Sequence, residues 1–216
     1  KLINLFFKKP NMKKKSLNAK KIIHKKLLRY LLDSRVKKFY KTFEKSIILN
    51  NLKSNKFLVA LSGGPDSLAL TYLAKCYSIL NNCDVKFVHI DHRLRSSSSS
   101  EANILKNLLK KFGVDCKILA WKGKKPKSNI QAIARQNRYS LLIRECNKKK
   151  IKNIILGHHK DDRNENFFIR LTRGSGLKGL ASFAEKTKNS NIYFLRPLLD
   201  LQKKQVINIS ENIFKF

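Results

Sequence analysis

The chain has 216 residues, with 48 Lys and Arg against 14 Asp and Glu, for a formal net charge of +34. That length buries a core of its own and suits one domain plus an extension, while no apolar run nears the ~18 residues of a membrane span, so no membrane-embedded role is expected. So strong a field attracts a polyanion, nucleic acid above all, although Lys, Asn and Ile enriched together are also what an AT-rich genome produces.

Residues 1–55 read as a basic helical extension. Residues 1–56 hold 18 basic and 2 acidic residues, so this quarter supplies +16. Ile22, Ile23, Leu27, Leu28, Leu31, Leu32, Val36, Phe39, Tyr40, Phe43, Ile47 and Ile48 recur at helical steps. They predict an amphipathic helix, or a pair broken near Asp33-Ser34, with the apolar stripe against the body and the lysines outward. The early "LINLFF" is too brief for a signal peptide, and Met12, the only Met, is the candidate start.

From Lys56 the pattern alternates, and residues 56–216 read as one α/β domain. Strands are predicted at "KFLVALS", "DVKFVHI", "DCKILAW" and "KNIILG", with a weaker fifth at "IYFLRPL". Helices are predicted over 67–80, 99–113, 128–149 and 162–172. Strand and helix in alternation predict a parallel five-stranded sheet with helices on both faces. Ligands of such sheets sit beyond the carboxyl ends of the strands. The polar clusters "SGGPDS", "HIDHRLR" and "GHHKDD" all follow strands, and "SSSSS" at 96–100 reads as a flexible loop. The four cysteines are widely spaced, with no Cys-x-x-Cys pair, and read as reduced thiols of a cytoplasmic protein.

"SGGPDS" links the first strand to a helix. Gly63 and Gly64 let backbone approach a phosphate, Ser62 and Ser67 add hydroxyls, and the helix start offers amides. It lacks the Gly-Lys-Ser/Thr ending of kinase-type loops. A tight connection without a ligand is the plainer reading. Asp66 is a poor neighbour for bare phosphate and is expected to act through Mg²⁺ or on an amine.

Ser-Gly-Gly-x-Asp-Ser after a first strand resembles the loop of the PP-loop ATP pyrophosphatases, whose fold is adenine nucleotide alpha hydrolase-like. "HIDHRLR", "NIQAIARQNRY" (with Gln131, Ala134, Arg135, Arg138 and Tyr139), "GHHKDDRNENFFIRLTRGSGLKGL" and "RPLL" are further similar to blocks of the tRNA(Ile)-lysidine synthetases, over about residues 56–205. The resemblance implies ATP-dependent joining of free lysine to the wobble cytidine of an isoleucine tRNA, through an adenylated cytidine, with release of AMP and pyrophosphate. It implies ATP contacts from Ser62, Gly63, Gly64, Pro65, Asp66, Ser67, His92, Arg173, Gly174, Ser175 and Gly176. Asp66 and Asp162 are the expected catalytic acids, with Asp66 also on Mg²⁺ and Arg135 and Arg138 on tRNA. Asp161, Glu165 and Arg173 rank behind them as partners for the reacting groups.

Alternatives stay open at this point. Asp161 and Asp162 also suit a helix start, Arg135 and Arg138 suit a solvated helix face, and Trp121 and Tyr139 suit either a base or the core. His89, His92, His158 and His159 fit nucleotide contacts or strand ends better than a zinc site. Arg163 and Asn166 stand where the family usually has Gln and Thr. The chain also stops before the family's Asp-x-Ser-Asn motif and later tRNA-binding regions. A sulfur-inserting tRNA enzyme of the same superfamily and a basic RNA-binding remnant without turnover are the competing readings; no oligomeric state is implied.

Overall fold

The structure is a computed structural model that describes residues 15–50, 56–123, 126–172, 174 and 184–215. It opens with helix α1 (Lys15–Arg29), a single 3-10 turn (Tyr30–Leu32) and helix α2 (Ser34–Leu49). The break falls where the sequence places it. Asp33 caps α2, its carboxylate accepting the N–H groups of Arg35 at 2.8 Å and Val36 at 3.3 Å, which satisfies donors a helix start otherwise leaves orphaned. Leu27, Leu28, Leu31, Val36, Phe39, Tyr40, Phe43 and Ile47 are buried as expected, whereas Ile22, Leu32 and Ile48 of the same periodic set face solvent.

The body alternates β1 (Lys56–Leu61), α3 (Pro65–Asn81), β2 (Asp84–Asp91), α4 (Ser98–Lys111), β3 (Cys116–Ala120), α5 (Ile130–Lys149), β4 (Asn153–Ile155) and α6 (Lys160–Thr172). A hairpin of β5 (Lys186–Asn189) and β6 (Ile192–Leu195) follows, then α7 (Lys203–Phe214). The sheet order is β3-β2-β1-β4-β6-β5. The five predicted strands are β1, β2, β3, β4 and β6, all parallel. The count of five is corrected to six by β5, which runs antiparallel to β6. "KTKN" has no apolar alternation because it sits at the edge, where lysines are common; Lys186 and Lys188 lie over the Tyr193 ring at 4.8 and 5.6 Å.

Alternate residues of β1 and β2 feed two cores, as a period of two requires. Phe57, Val59, Leu61 and Phe87 join α1, α2, α3 and α7 on one face. Leu58, Val88 and Ile90 join Leu141, Leu142 and Cys146 of α5 on the other. Both faces are therefore covered, which explains the short unbroken apolar strands. The hydroxyl of Ser46 on α2 donates to Glu185 just before β5, tying the N-terminal helices to the sheet edge. Helix α7 is absent from the sequence-based expectation; it packs along α3 and is capped by Gln202 and Gln205 acting reciprocally. No helix among the described residues is long and apolar enough to cross a membrane.

Candidate active site

The carboxyl ends of β1, β2 and β4 meet at the middle of the sheet, and the three polar clusters converge there. Gly63 takes φ +94°, a conformation that side-chain-bearing residues rarely adopt. Its N–H donates to Ser67 Oγ at 3.0 Å, and the Ser67 hydroxyl donates to Gly64 O at 2.8 Å. Pro65 occupies the first turn of α3, where its missing N–H is no loss. Ser67 thus staples the loop from within, while Ser62 lies on the cavity side. A Cβ at Gly157, after β4, would stand 3.2 Å from the carbonyl oxygen of Asp66, so the two strand-end turns are in close backbone contact.

His159 joins the acids of those turns. Its Nδ1 accepts the N–H of Asp162 at 3.3 Å, while the Asp162 carboxylate accepts the N–H of His159 at 2.8 Å. This is a reciprocal cap at the start of α6, with His159 in the N-cap place. With Nδ1 accepting, the ring proton belongs on Nε2, which faces Asp66 Oδ1 at 3.6 Å. His159 is buried, fixed also by a parallel bridge to Leu198. Asp66 Oδ1 is itself buried and meets no hydrogen-bond partner among the described residues. Burial first, then the charge of Asp162, raise the Asp66 carboxyl above the usual range, against the pull of His159 and Lys203.

A cavity of about 170 Å³ opens over these groups, lined among others by Ser62, Asp66, Arg135, Arg138, His158 and Asp162. Arg135 reaches the Tyr139 hydroxyl at 3.3 Å and stacks on its ring at 5.2 Å, and Tyr139 packs on Phe194 at 5.0 Å. His158 is held from behind, its Nδ1 accepting from Arg196 Nε at 3.2 Å. Burial and the Arg196 charge push His158 down to about 4, so it is neutral at physiological pH. A larger cavity of about 510 Å³ adjoins across Ser62, Ile90 and Arg138 and takes in Gly63, His89, Asp91 and His92. There Arg138 Nε lies 3.4 Å from His92 Nε2. Burial raises the Asp91 carboxyl, but bonds from the Ser99 hydroxyl at 2.7 Å and the Arg93 N–H at 2.9 Å outweigh it and hold the net shift downward.

The structure therefore gathers Ser62, Gly63, Asp66, Ser67, His92, Arg135, Arg138 and Asp162 around two adjoining cavities. Asp161 is exposed and faces a separate surface groove with Lys160, and Glu165 is exposed on α6. Gly174 lies past the end of α6 at φ +65°, its N–H donating to Leu171 O at 3.1 Å; Arg173, Ser175 and Gly176 lie outside the described residues. Trp121 packs against the α5-side core. Gly157, Asp91 and Arg196 were not singled out by sequence reasoning. For Gly157 the available signal was a glycine directly after an apolar strand, which often marks close backbone approach.

Fold and loop together define an α/β domain of the nucleotide-binding kind, with a glycine-rich turn at the end of its first strand. The sequence pattern of the PP-loop domain family matches residues 32–213, and the chain belongs to that family. It is 40% identical over 159 residues to the tRNA(Ile)-lysidine synthase of Bradyrhizobium diazoefficiens, covering 72% of this chain and 44% of that one. Against the enzyme of the same name from Orientia tsutsugamushi it is 42% identical over 151 residues, covering 70% and 34%. The Rickettsia rickettsii enzyme matches at 35% over 178 residues, covering 81% and 37%. The resemblance read from the sequence is borne out by these relatives, although the chain spans less than half of their length. Among solved structures, the U34-tRNA thiolase NcsA of Methanococcus maripaludis superposes with a TM-score of 0.70 at 21% identity, over 82% of this chain and 63% of that one. That likeness concerns the fold.

Proposed function

We propose that residues 56–216 form the catalytic body of an ATP-dependent, lysidine-forming ligase, with residues 1–55 as a basic extension to it. In the first step the C2 carbonyl oxygen of the wobble cytidine of an isoleucine tRNA attacks the α-phosphorus of ATP. An O–P bond forms, and the bond to pyrophosphate breaks with its electron pair leaving on pyrophosphate. In the second step the amine of free lysine attacks C2, the C–O bond breaks, AMP leaves, and the amine gives up a proton. A tRNA substrate puts this work in the cytoplasm.

The observation that carries the reading is the pair of carboxylates, Asp66 and Asp162, joined through His159 in a cavity otherwise bordered by Arg135 and Arg138. Cations suit phosphates and RNA, and an acid with an unpartnered buried oxygen suits a cation. That cation is the lysine ammonium or Mg²⁺. Magnesium is commonly held by one or two carboxylates together with phosphate oxygens, and Asp66 meets that requirement. Bound there, the ion supplies charge neutralisation to the leaving pyrophosphate. Ser62, Gly63, Gly64, Pro65 and Ser67 cradle the phosphates, His92 borders the nucleotide from the larger cavity, and Arg135 and Arg138 bind tRNA phosphate. Arg173, Gly174, Ser175 and Gly176 are proposed as further nucleotide contacts on the resemblance alone.

Chromatography of the nucleotide products after incubation with tRNA, ATP and lysine tests the reaction class. AMP and pyrophosphate in equal amounts are expected. ADP and phosphate as main products overturn the assignment.

A further inference from the structure

One face of α2 is a row of lysines. The helix buries Val36, Phe39, Tyr40, Phe43 and Ile47. Lys37, Lys41 and Lys45, at steps of four, stand exposed with Lys38 beside them. These four lysines line a shallow groove whose other members are Ser34 and Thr42. None of the four ammonium groups has an ion-pair partner among the described residues, while the one acid within α2, Glu44, accepts the Tyr40 hydroxyl at 3.2 Å. Like charges one turn apart repel each other, so an anion along this stripe relieves a strain built into the helix.

The groove adjoins two others that lead toward the start of α6. Lys38 also lines a second groove with Arg35, Phe39 and Lys204, and Lys204 lines a third with Lys160, Asp161 and Gln202. Lys160 directly follows His159, the residue that joins the two catalytic acids. A run of grooves thus extends from the first turn of α6, past Lys204 at the start of α7, onto the α2 lysines. Among the described residues that line these grooves Asp161 is the one acid; nearby, Asp33 is paired to Arg35 at 3.6 Å and Asp200 to Arg163 at 3.7 Å. From Lys37 to Lys45 the stripe extends roughly 12 Å, enough for more than one phosphate of a nucleic-acid strand.

We propose that the Lys37–Lys41–Lys45 face of α2, with Lys38 and Lys204, carries the sugar–phosphate backbone of the tRNA away from the catalytic cavity. This deepens the lysidine-forming reading and rests on tRNA being the substrate. The occupant is RNA rather than a membrane: the lysine groove is lined by Lys, Ser and Thr alone, and the large aliphatic residues that α2 exposes, Ile48 and Leu49, are confined to its last turn, whereas an interfacial helix carries such residues along its length. The contacts are to backbone and carry no sequence information of their own.

The test compares three forms of the full chain: the parent, Lys37→Gln/Lys41→Gln/Lys45→Gln, and a control triple, Lys148→Gln/Lys149→Gln/Lys150→Gln, at the exposed end of α5. Each is titrated with tRNA transcript from about 50 to 300 mM salt, and ATP binding is measured alongside. If about six phosphates are neutralised, the parent's log affinity falls with log salt at a slope of roughly −4 to −5. The α2 triple is expected to be shallower by about 2 and to bind tRNA at least about tenfold more weakly at low salt. It keeps parental ATP binding and melting temperature, and the control matches the parent. An α2 triple with the parent's slope and affinity overturns this proposal and leaves the lysidine reading standing. A control that loses as much as the α2 triple also overturns it, since bulk charge then explains the binding. A parent that binds ATP and anionic phosphatidylserine vesicles but no tRNA overturns both readings.

Discussion

Asp66 places a carboxyl where charge is unfavourable. Burial and the neighbouring Asp162 both disfavour its ionised form, and one oxygen finds no donor among the described residues, an arrangement that suits a functional site better than a stabilising one. Asp66→Asn is therefore expected to raise the melting temperature while lowering turnover by about 10²-fold or more, the scale of losing one electrostatic group. Thermal scans and initial rates on the same preparation check both; parental turnover would remove Asp66 from the mechanism. His158 makes a separate prediction. Its folded value, about 4, lies below the ordinary histidine value, so between roughly pH 6.5 and 4 the unfolded chain binds the extra proton. Stability is complete above that window and is lost as pH falls through it, by on the order of 2 kcal/mol from this group. His158→Gln, which keeps an acceptor for Arg196, should flatten that part of the stability profile in denaturant titrations at pH 7 and 4.5. An unchanged slope would mean that His158 titrates normally. The turn itself was legible, because two glycines and a proline between an apolar strand and an apolar-periodic run mark a strand-to-helix connection. The His159 link was not, since it depends on β4 lying beside β6 and on the Leu198 bridge, which no local pattern encodes.

At the scale of elements, α6 starts on the acid proposed to hold the lysine amine. Two readings of Asp162 are open from the sequence, an amine partner or a helix start; the structure gives it the cap and also a place on the cavity wall. The two roles separate in Asp162→Asn, because an amide oxygen still accepts the His159 N–H while the charge is gone. Under the proposed function, ATP-dependent pyrophosphate release persists in this variant, lysine transfer falls by about 10²-fold, and the melting temperature barely moves. Asp162→Ala should lose the cap too, costing about 1 kcal/mol. Lysine transfer by Asp162→Asn at the parental rate would leave the carboxylate with the cap alone. The five parallel strands were readable because a strand covered on both faces is a short apolar run between polar stretches. β5 was not, since an edge strand of Lys, Thr and Asn looks like loop. α7 was readable in hindsight: Val206, Ile209 and Ile213 fall at helical spacing after the Gln202–Gln205 cap, and all three are buried.

At the scale of the molecule, one side of the sheet holds a core built from α1, α2, α3 and α7, and the site sits at the strand ends between the two faces. The N-terminal helices share that core with β1 and α3, and the family pattern begins inside them, at residue 32. The net charge of +34 was legible at once, but its distribution was not. The packing of α2 shows which of its lysines are left outward. The relatives are longer than this chain, which covers 44% and 34% of two that it matches at 40% and 42% identity, and the proposed function places the chemistry in the PP-loop body. The direct test incubates the 216-residue chain with ATP, Mg²⁺, an isoleucine tRNA transcript and radiolabelled lysine, then counts label in purified RNA. Label that enters the RNA only with ATP, resists removal of free lysine and matches the AMP formed, mole for mole, is the predicted result. AMP and pyrophosphate formed with no lysine in the RNA would contradict the account.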